Sequence, residues 1–582
     1  MSTATEDVGA IRAGDHAFRV PEVLESAVAT LRAAAPLELF AAAASILLPV
    51  AISPMLYSYT FTPKFALLLV VAAVGLPQLL VLARRGASAA PARAMLAFLA
   101  VALVSAARSR SALVGMFGLY SWGTGWLFWC GAAGAWAVGR SLGDRGRRLV
   151  AGGLLAGAAV NATMAIVQEV LRARGPVLGL YQGSQADGLM GNPIYLESLL
   201  LGALALALVA ALRGRAAWLL LAALLSAALE LSGERLAVPL LALLAVAGVA
   251  VSRTRRSLEL AAVVVGAYGL TYLVTGRLLH TRLQTSIVHN PRTLLWKSLA
   301  HAFLHDPLFG YGPGGTLLAG TRYGSLALAR RLGVATYFAD AHDIVVEVAI
   351  TTGLLGIAAL GFFVVLGVRH AMTPLLGFAL LAVAVELVEP LNVGVTPLVL
   401  LAFGAAFKGA AQPARVRGRA LAAVRGALVA AALLAGASIV FGDFELNEGY
   451  LHYDYGTARA AAQVLPEWSQ PAALVAQIAA NRSVALPDAR IWRLRTRHWW
   501  QVAVRRDPGY TQSWYDLAVA DMSLGRDRLA VRELRVALSL DRYSTDALLG
   551  LSTLERRLGS PGLAERYLEL AQATAPGTRL SL

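Results

Sequence analysis

The chain has 582 residues, of which 57% are hydrophobic and 15% charged, and its mean hydropathy is +0.62. Soluble globular chains run at about 45–50% apolar and about 25% charged. Both departures exclude disorder and a single soluble domain. The formal charge of +16, from 51 basic and 35 acidic residues, reads as membrane topology rather than nucleic-acid binding.

In chain order, a polar segment over 1–36 comes first and lacks a cleavable signal pattern, so it is expected to remain cytoplasmic ahead of an anchoring span. Apolar runs near the length needed to cross a bilayer follow at 37–56, 64–83, 93–107, 116–138, 149–170, 193–212, 216–231, 236–251 and 258–275. A polar stretch from Gly276 to Asp340 intervenes. Further runs lie at 343–368, 372–388, 395–411 and 419–441. With the N-terminus inside, the cytoplasmic connections hold eighteen basic residues, from Arg84 to Arg425, and the short outer loops hold six, including Lys64 and Arg235. This positive-inside bias predicts that the large loop 276–341 and the region after the last span both lie outside. Cys130 is the only cysteine, which excludes an internal disulfide and a multi-cysteine zinc site. The expected fold is all-α: a polytopic bundle of about 12–13 transmembrane helices over 37–441, then a soluble helical domain over 442–582.

That last region also repeats. Trp514, Leu517, Gly525, Ala530, Leu534 and Ala537 recur thirty-four residues on as Leu548, Leu551, Gly559, Ala564, Leu568 and Ala571. The period, with small residues where paired helices cross, resembles tetratricopeptide repeats, and Asp507-Pro508 and Ala575-Pro576 fall near repeat ends. Concave helical repeats bind proteins or peptides, so a protein partner is expected; a helical cap without a partner is the alternative.

Polar groups at the membrane edge are costly and point to function. Three clusters share the outer side: Ser232–Arg235 in a short turn, Asn290–Trp296 early in the large loop, and Asp340–Asp343 where that loop re-enters the membrane. Asp340 is placed to cap the re-entering helix, with Asp343 completing a capping box and His342 in the first turn. There the helix dipole favours a neutral imidazole, the form of a general base; the other reading is an interfacial histidine satisfied by water. Arg235 and Arg292 offer planar forks suited to a diphosphate, although singly Arg235 reads as a snorkelling arginine and Arg292 as a solvated loop charge.

Arg292–Trp296, the run Asp306-Pro307-Leu308-Phe309-Gly310-Tyr311-Gly312-Pro313-Gly314, and Ala341-His342-Asp343…Glu347…Gly353-Leu354-Leu355-Gly356 together resemble the signature region of the O-antigen ligase family. Gly191-Asn192-Pro193 and Ser232…Arg235 match its upstream pattern, and the resemblance spans about residues 37–411. The chain departs from the pattern at Asp343, where asparagine commonly follows the histidine.

The resemblance implies a GT-C-like membrane glycosyltransferase of the bacterial inner membrane, working on the periplasmic face without a metal or cofactor. Its donor would be a glycan on undecaprenyl diphosphate, and its acceptor hydroxyl would belong to lipid A–core, a glycan or a protein. Carried over by position, His342 would activate the acceptor, and Arg235 and Arg292 would hold the leaving diphosphate. Inversion at the anomeric carbon is expected. Asn192, Gly312, Gly314, Asp343 and Glu347 would line the substrate cavity, with Glu347 equally readable as a carboxylate paired inside the bundle. O-antigen ligase, polymerase and protein O-oligosaccharyltransferase remain open at this level. The readings from other classes are a transporter, against which no inverted repeat is seen, and a membrane scaffold recruiting partners through its repeats.

Overall fold

The computed structural model describes residues 34–84, 86, 88–171, 185–213, 217–275, 291–333, 337–371, 373–407, 419–485 and 489–575, with side chains in the last helix of the bundle described from 422. The expected segment 1–33, the basic connection 408–418, the loop start 276–290 and Pro576 lie outside these residues. Among the described residues the secondary structure is helical, with one isolated bridge between Ala371 and Phe407 and no strand.

The bundle runs α1 (Pro36–Val50), α2 (Phe61–Leu82), α3 (Ala89–Arg108), α4 (Ala112–Phe117), α5 (Trp126–Arg140), α6 (Asp144–Leu171), α7 (Pro193–Leu212), α8 (Ala217–Ser232), α9 (Ala237–Ser252) and α10 (Arg255–Thr275). The outer loop supplies α11 (Pro291–His305), α12 (Thr316–Arg322) and α13 (Leu326–Leu332). The chain then re-enters as α14 (Ile344–Val368), α15 (Pro374–Glu386), α16 (Thr396–Ala405) and α17 (Arg419–Leu451).

Among the described residues, seven helices are long and apolar enough to cross a membrane: α2, α3, α6, α7, α10, α14 and the Ala422–Leu451 part of α17. The apolar helices α1, α8, α9, α15 and α16 are shorter, as is the glycine- and alanine-rich α5, so thirteen apolar runs do not become thirteen full-length spans. The run expected as one span at 116–138 is two elements. Gly118 (φ +81°) and Ser121 (φ +69°) break it into α4 and α5. Lys64 is not an outer-loop charge either. It is buried in α2, where Nζ donates to the carbonyls of Ala51 (3.0 Å) and Leu189 (2.7 Å).

Helix α5 is the centre of the bundle. A Cβ on Gly75 of α2 would lie 2.2 Å from the Gly134 carbonyl oxygen, and one on Gly404 of α16 would lie 2.2 Å from that of Trp136. Small residues at these crossings let backbones touch, which is how helices gain packing where burial from water no longer drives association.

Helix α17 continues without interruption past 441, so the expected boundary at 442 falls inside a helix. It leads into α18 (Tyr455–Val464), α19 (Ser469–Ala485), α20 (Ala489–Arg506), α21 (Thr511–Ser523), α22 (Asp527–Leu540), α23 (Thr545–Arg557) and α24 (Pro561–Thr574). The pairs α21–α22 and α23–α24 start thirty-four residues apart and turn at Gly525 (φ +71°) and Gly559 (φ +83°), while Ala530, Ala537, Ala564 and Ala571 are fully buried between them. These are tetratricopeptide-like helical hairpins, and the residues before them are helical as well.

The repeats rest on the outer end of the bundle. Trp468 inserts among Phe61, Phe65, Phe117 and Tyr120 in edge-on ring contacts and donates from Nε1 to the Gly118 carbonyl (3.1 Å). The Ser111 hydroxyl donates to Asp507 (2.5 Å), and Arg330 of α13 donates to the Ala573 carbonyl (2.6 Å). The repeats, α4 and the loop helices therefore share one end of the molecule.

Inside the repeats, Asp521 is fully buried and pairs with Arg497 (2.6 Å), and Glu533 lies beside it. Burial first, then the Asp521 charge, push the Glu533 carboxyl from 4.5 up to about 8. The folded repeats therefore hold a proton that the unfolded chain releases near pH 4.5. The stability from protonated Glu533 is present below that pH and is lost as pH rises toward about 8. Amide-exchange protection of α21–α22 in the detergent-solubilised protein, corrected for intrinsic rates, should fall across this window. Glu533→Gln should flatten the fall, and an unchanged slope in that variant would dismiss the assignment.

Candidate active site

The site is assembled where α14 enters the bundle. Its N-cap is Asp343, whose Oδ1 accepts from Val345 N (2.7 Å) and Val346 N (2.9 Å). The expected capping box led by Asp340 does not form, and His342 is not in the first helical turn. It precedes the cap, in the left-handed region at φ +52°. Asp340 holds it there: Oδ1 accepts from His342 N (2.8 Å) and lies 2.6 Å from His342 Nδ1. That second approach is close but poorly aligned for a hydrogen bond, and both Nδ1 and Asp340 Oδ2 are buried without one. Asp340 thus stands on the Nδ1 side of the ring, and Nε2 is the nitrogen turned away from it.

Three neighbours fix this loop. Glu347, one turn into α14, accepts from Ala341 N (2.8 Å) and the Thr316 hydroxyl (2.9 Å), so its carboxylate is paired within the bundle. Trp296 of α11 donates to the Ala341 carbonyl (2.8 Å). Phe338 packs edge-on against the His342 ring, with centroids 5.3 Å apart.

Arg292, in the first turn of α11, is not solvated. Nη1 donates to Glu389 Oε1 (3.0 Å) and to the Val388 carbonyl (2.8 Å), and Nη2 to Glu389 Oε2 (2.8 Å). This is a two-toothed ion pair across sequence-distant elements. Burial pushes the Glu389 carboxyl up, opposed by the Arg292 bond and charge and by the charge of His342. Asp340 and Glu389 both act on Tyr195 in the first turn of α7. His342, Asp340, Glu389, Arg292 and Tyr195 thus form one cluster.

The remaining expected residues spread around it. Asn192 caps α7, its side chain accepting from Ile194 N (2.9 Å). Gly312 packs on the end of α3, where a Cβ would come 2.7 Å from Ser109 Cβ. Gly314 lines a small cleft between that turn and the 507–510 connection. Arg235 is exposed in the turn after α8.

Gly310 and Gly353, both at φ +66°, serve the backbone itself. Helix α14 breaks at Gly353, and the turn before α12 fills the gap. Tyr311 N and Gly312 N donate to the carbonyls of Ile350 (2.8 Å) and Thr351 (3.0 Å), while Leu354 N donates to Pro307 O (2.8 Å). A Cβ on Gly310 would sit 2.3 Å from the Ile350 oxygen. The glycine-rich run therefore approaches a helix of its own chain.

Sequence reasoning missed Glu389 and Tyr195 and treated Asp340 only as a cap. A signal for Glu389 existed, since Glu386 and Glu389 end an apolar run at the membrane edge.

Residues 200–361 match the family described as O-antigen ligase, a segment that takes in α8, Arg235, the whole loop, Arg292, Asp340 and His342, with Tyr195 and Glu389 outside it. Those residues carry an O-antigen ligase domain. With the apolar helices around it, the domain supports a membrane glycosyltransferase of the ligase or polymerase type in a multi-pass membrane protein. No curated protein sequence matches the chain. Among solved structures, the one titled "Crystal structure of APC/C hetero-tetramer Cut9-Hcn1" aligns over 85% of this chain and 82% of that one at 12% identity, with a TM-score of 0.21, too low to bear on fold or function.

The ion pair makes a direct prediction. Glu389→Gln keeps the shape but removes the charge opposite a largely buried guanidinium. It should lower stability by about 1–3 kcal/mol in an SDS-titration unfolding assay in mixed micelles. A variant as stable as the parent would mean that Arg292 finds its counter-charge elsewhere.

Proposed function

We propose that the protein transfers a glycan from an undecaprenyl-diphosphate carrier to an acceptor hydroxyl on the periplasmic face of a bacterial inner membrane, as an O-antigen ligase-like, inverting enzyme that needs no metal. The observation that carries this reading is the Asp340–His342 pair held at the mouth of a broken transmembrane helix, with Glu389 of the Arg292–Glu389 pair within reach of its charges.

Each residue then has a role. The acceptor hydroxyl gives its proton to His342 Nε2 as its oxygen attacks the anomeric carbon. The imidazolium that results is stabilised by Asp340 and, at longer range, by Glu389. On the opposite face the bond to the diphosphate breaks, and its electron pair goes to the phosphate oxygen. Arg292 takes up that charge by exchanging the Glu389 carboxylate for phosphate oxygens, so Glu389 holds the fork oriented until donor arrives. Arg235, exposed at the same end of the bundle, meets the diphosphate from the other side.

His342→Ala should cut transfer by about 10²–10⁴-fold with normal insertion, measured with purified protein and lipid-linked glycan. Unchanged transfer would remove His342 from the chemistry. Arg292→Lys and Arg235→Lys keep the charge and lose the fork, so both should raise the donor KM; full activity in both would dispose of the clamp.

Orientation has its own test. Cys130 is buried and is the only native thiol, so it can be replaced before a cysteine is placed at Ser560, ahead of α24. That cysteine should react with an impermeant maleimide in cells whose outer membrane alone is permeabilised. Reaction only after the inner membrane is opened would put the repeats, and the loop helices they touch, in the cytoplasm.

A further inference from the structure

A cavity of about 590 Å³, open on one side, lies between the outer-loop helices and the repeat domain. One wall is α12 and α13, with Thr321 and Ser325; the other is the α22–α23 turn, with Asp541 and Tyr543. Its inner end is formed by Tyr337 and Phe338. Phe338 is the residue whose ring packs against His342, and Leu295, also in the lining, lies one turn along α11 from Arg292. The cavity therefore borders the histidine loop, with Phe338 between its lining and the His342 ring.

We infer that this cavity is the acceptor subsite and that its ligand is a saccharide, bound in part by the repeat domain. The inference rests on the transferase reading above and narrows its acceptor. The lining interleaves aromatic rings with hydroxyls and one carboxylate. Rings cover the C–H faces of sugars, and the polar groups take their hydroxyls. Asp541 is nearly buried. Its Oδ1 accepts from Tyr543 N (3.0 Å), while Oδ2 makes no hydrogen bond to a described group. Among the described residues no lysine or arginine lines the cavity, which disfavours a phosphate, and the carboxylate and hydroxyls disfavour an acyl chain. The repeats on this account form a wall of the active-site approach as well as any outer surface they present.

The test uses the full-length protein in nanodiscs, with and without lipid-linked donor. Without donor, a panel of free oligosaccharides, from deacylated lipopolysaccharide core to maltopentaose, is titrated by intrinsic fluorescence beside a serine-rich peptide. At least one saccharide should bind saturably, and Asp541→Asn and Tyr543→Ala should weaken it about tenfold. With donor, the same variants should raise the KM for that saccharide acceptor by a similar factor while kcat and donor KM hold. Thr321→Trp, which fills the cavity from the opposite wall, guards against a repeat-domain variant that fails to fold and should abolish saccharide binding. Saccharide binding without any transfer by the parent protein would defeat the transferase reading and leave the site. Transfer that is indifferent to all three variants, or binding of the peptide in place of every saccharide, would overturn the subsite.

Discussion

Helix α14 cannot be continuous and also present the histidine loop. Once it breaks at Gly353, the freed carbonyls of Ile350 and Thr351 and the N–H of Leu354 need partners in a setting where water does not supply them. The turn from Pro307 to Gly312 supplies all three, and the Ser105 hydroxyl adds a bond to Thr351 O (2.7 Å). That exchange ties the outer loop to α3 and α14 at once. It fixes where α11 ends, at His305 just before the turn.

The chemistry depends on the same restraint. Asp340 and Glu347 each hold one turn of the chain on either side of His342, one through His342 N and the other through Ala341 N. A left-handed backbone at a non-glycine residue is kept only where its surroundings insist on it. Here two carboxylates and the Trp296 indole do so. Asp340 and Glu389 place negative charge beside the ring, and Arg292 is the positive group paired with Glu389.

The repeat domain is joined to this site through packing rather than through α17 alone. Trp468 fills the outer mouth of the α2–α5 pair, and the 507–509 connection closes over Ser111. A domain fixed at three separated points is held as a wall. Its relation to the loop helices is part of the tertiary fold and would not follow from a flexible tether.

The sequence by itself determined the all-helical membrane class and the thirty-four-residue repeat, and it singled out His342, Arg292 and Arg235 as candidates, because hydrophobic run length, repeat period and short motifs are local properties of the chain. It also marked Glu347 as a carboxylate that could pair inside the bundle, since helical spacing places it one turn beyond the loop. Only the tertiary structure decided that Asp340 pairs with His342, that Glu389 occupies the Arg292 fork from 97 residues away, and that the glycine run closes on α14. Helix length was also decided there: apolar runs fix which segments avoid water, but the turns at Gly118 and Ser121 cut one such run in two. Partners across the fold depend on which helix ends meet, and a linear pattern carries no information about that.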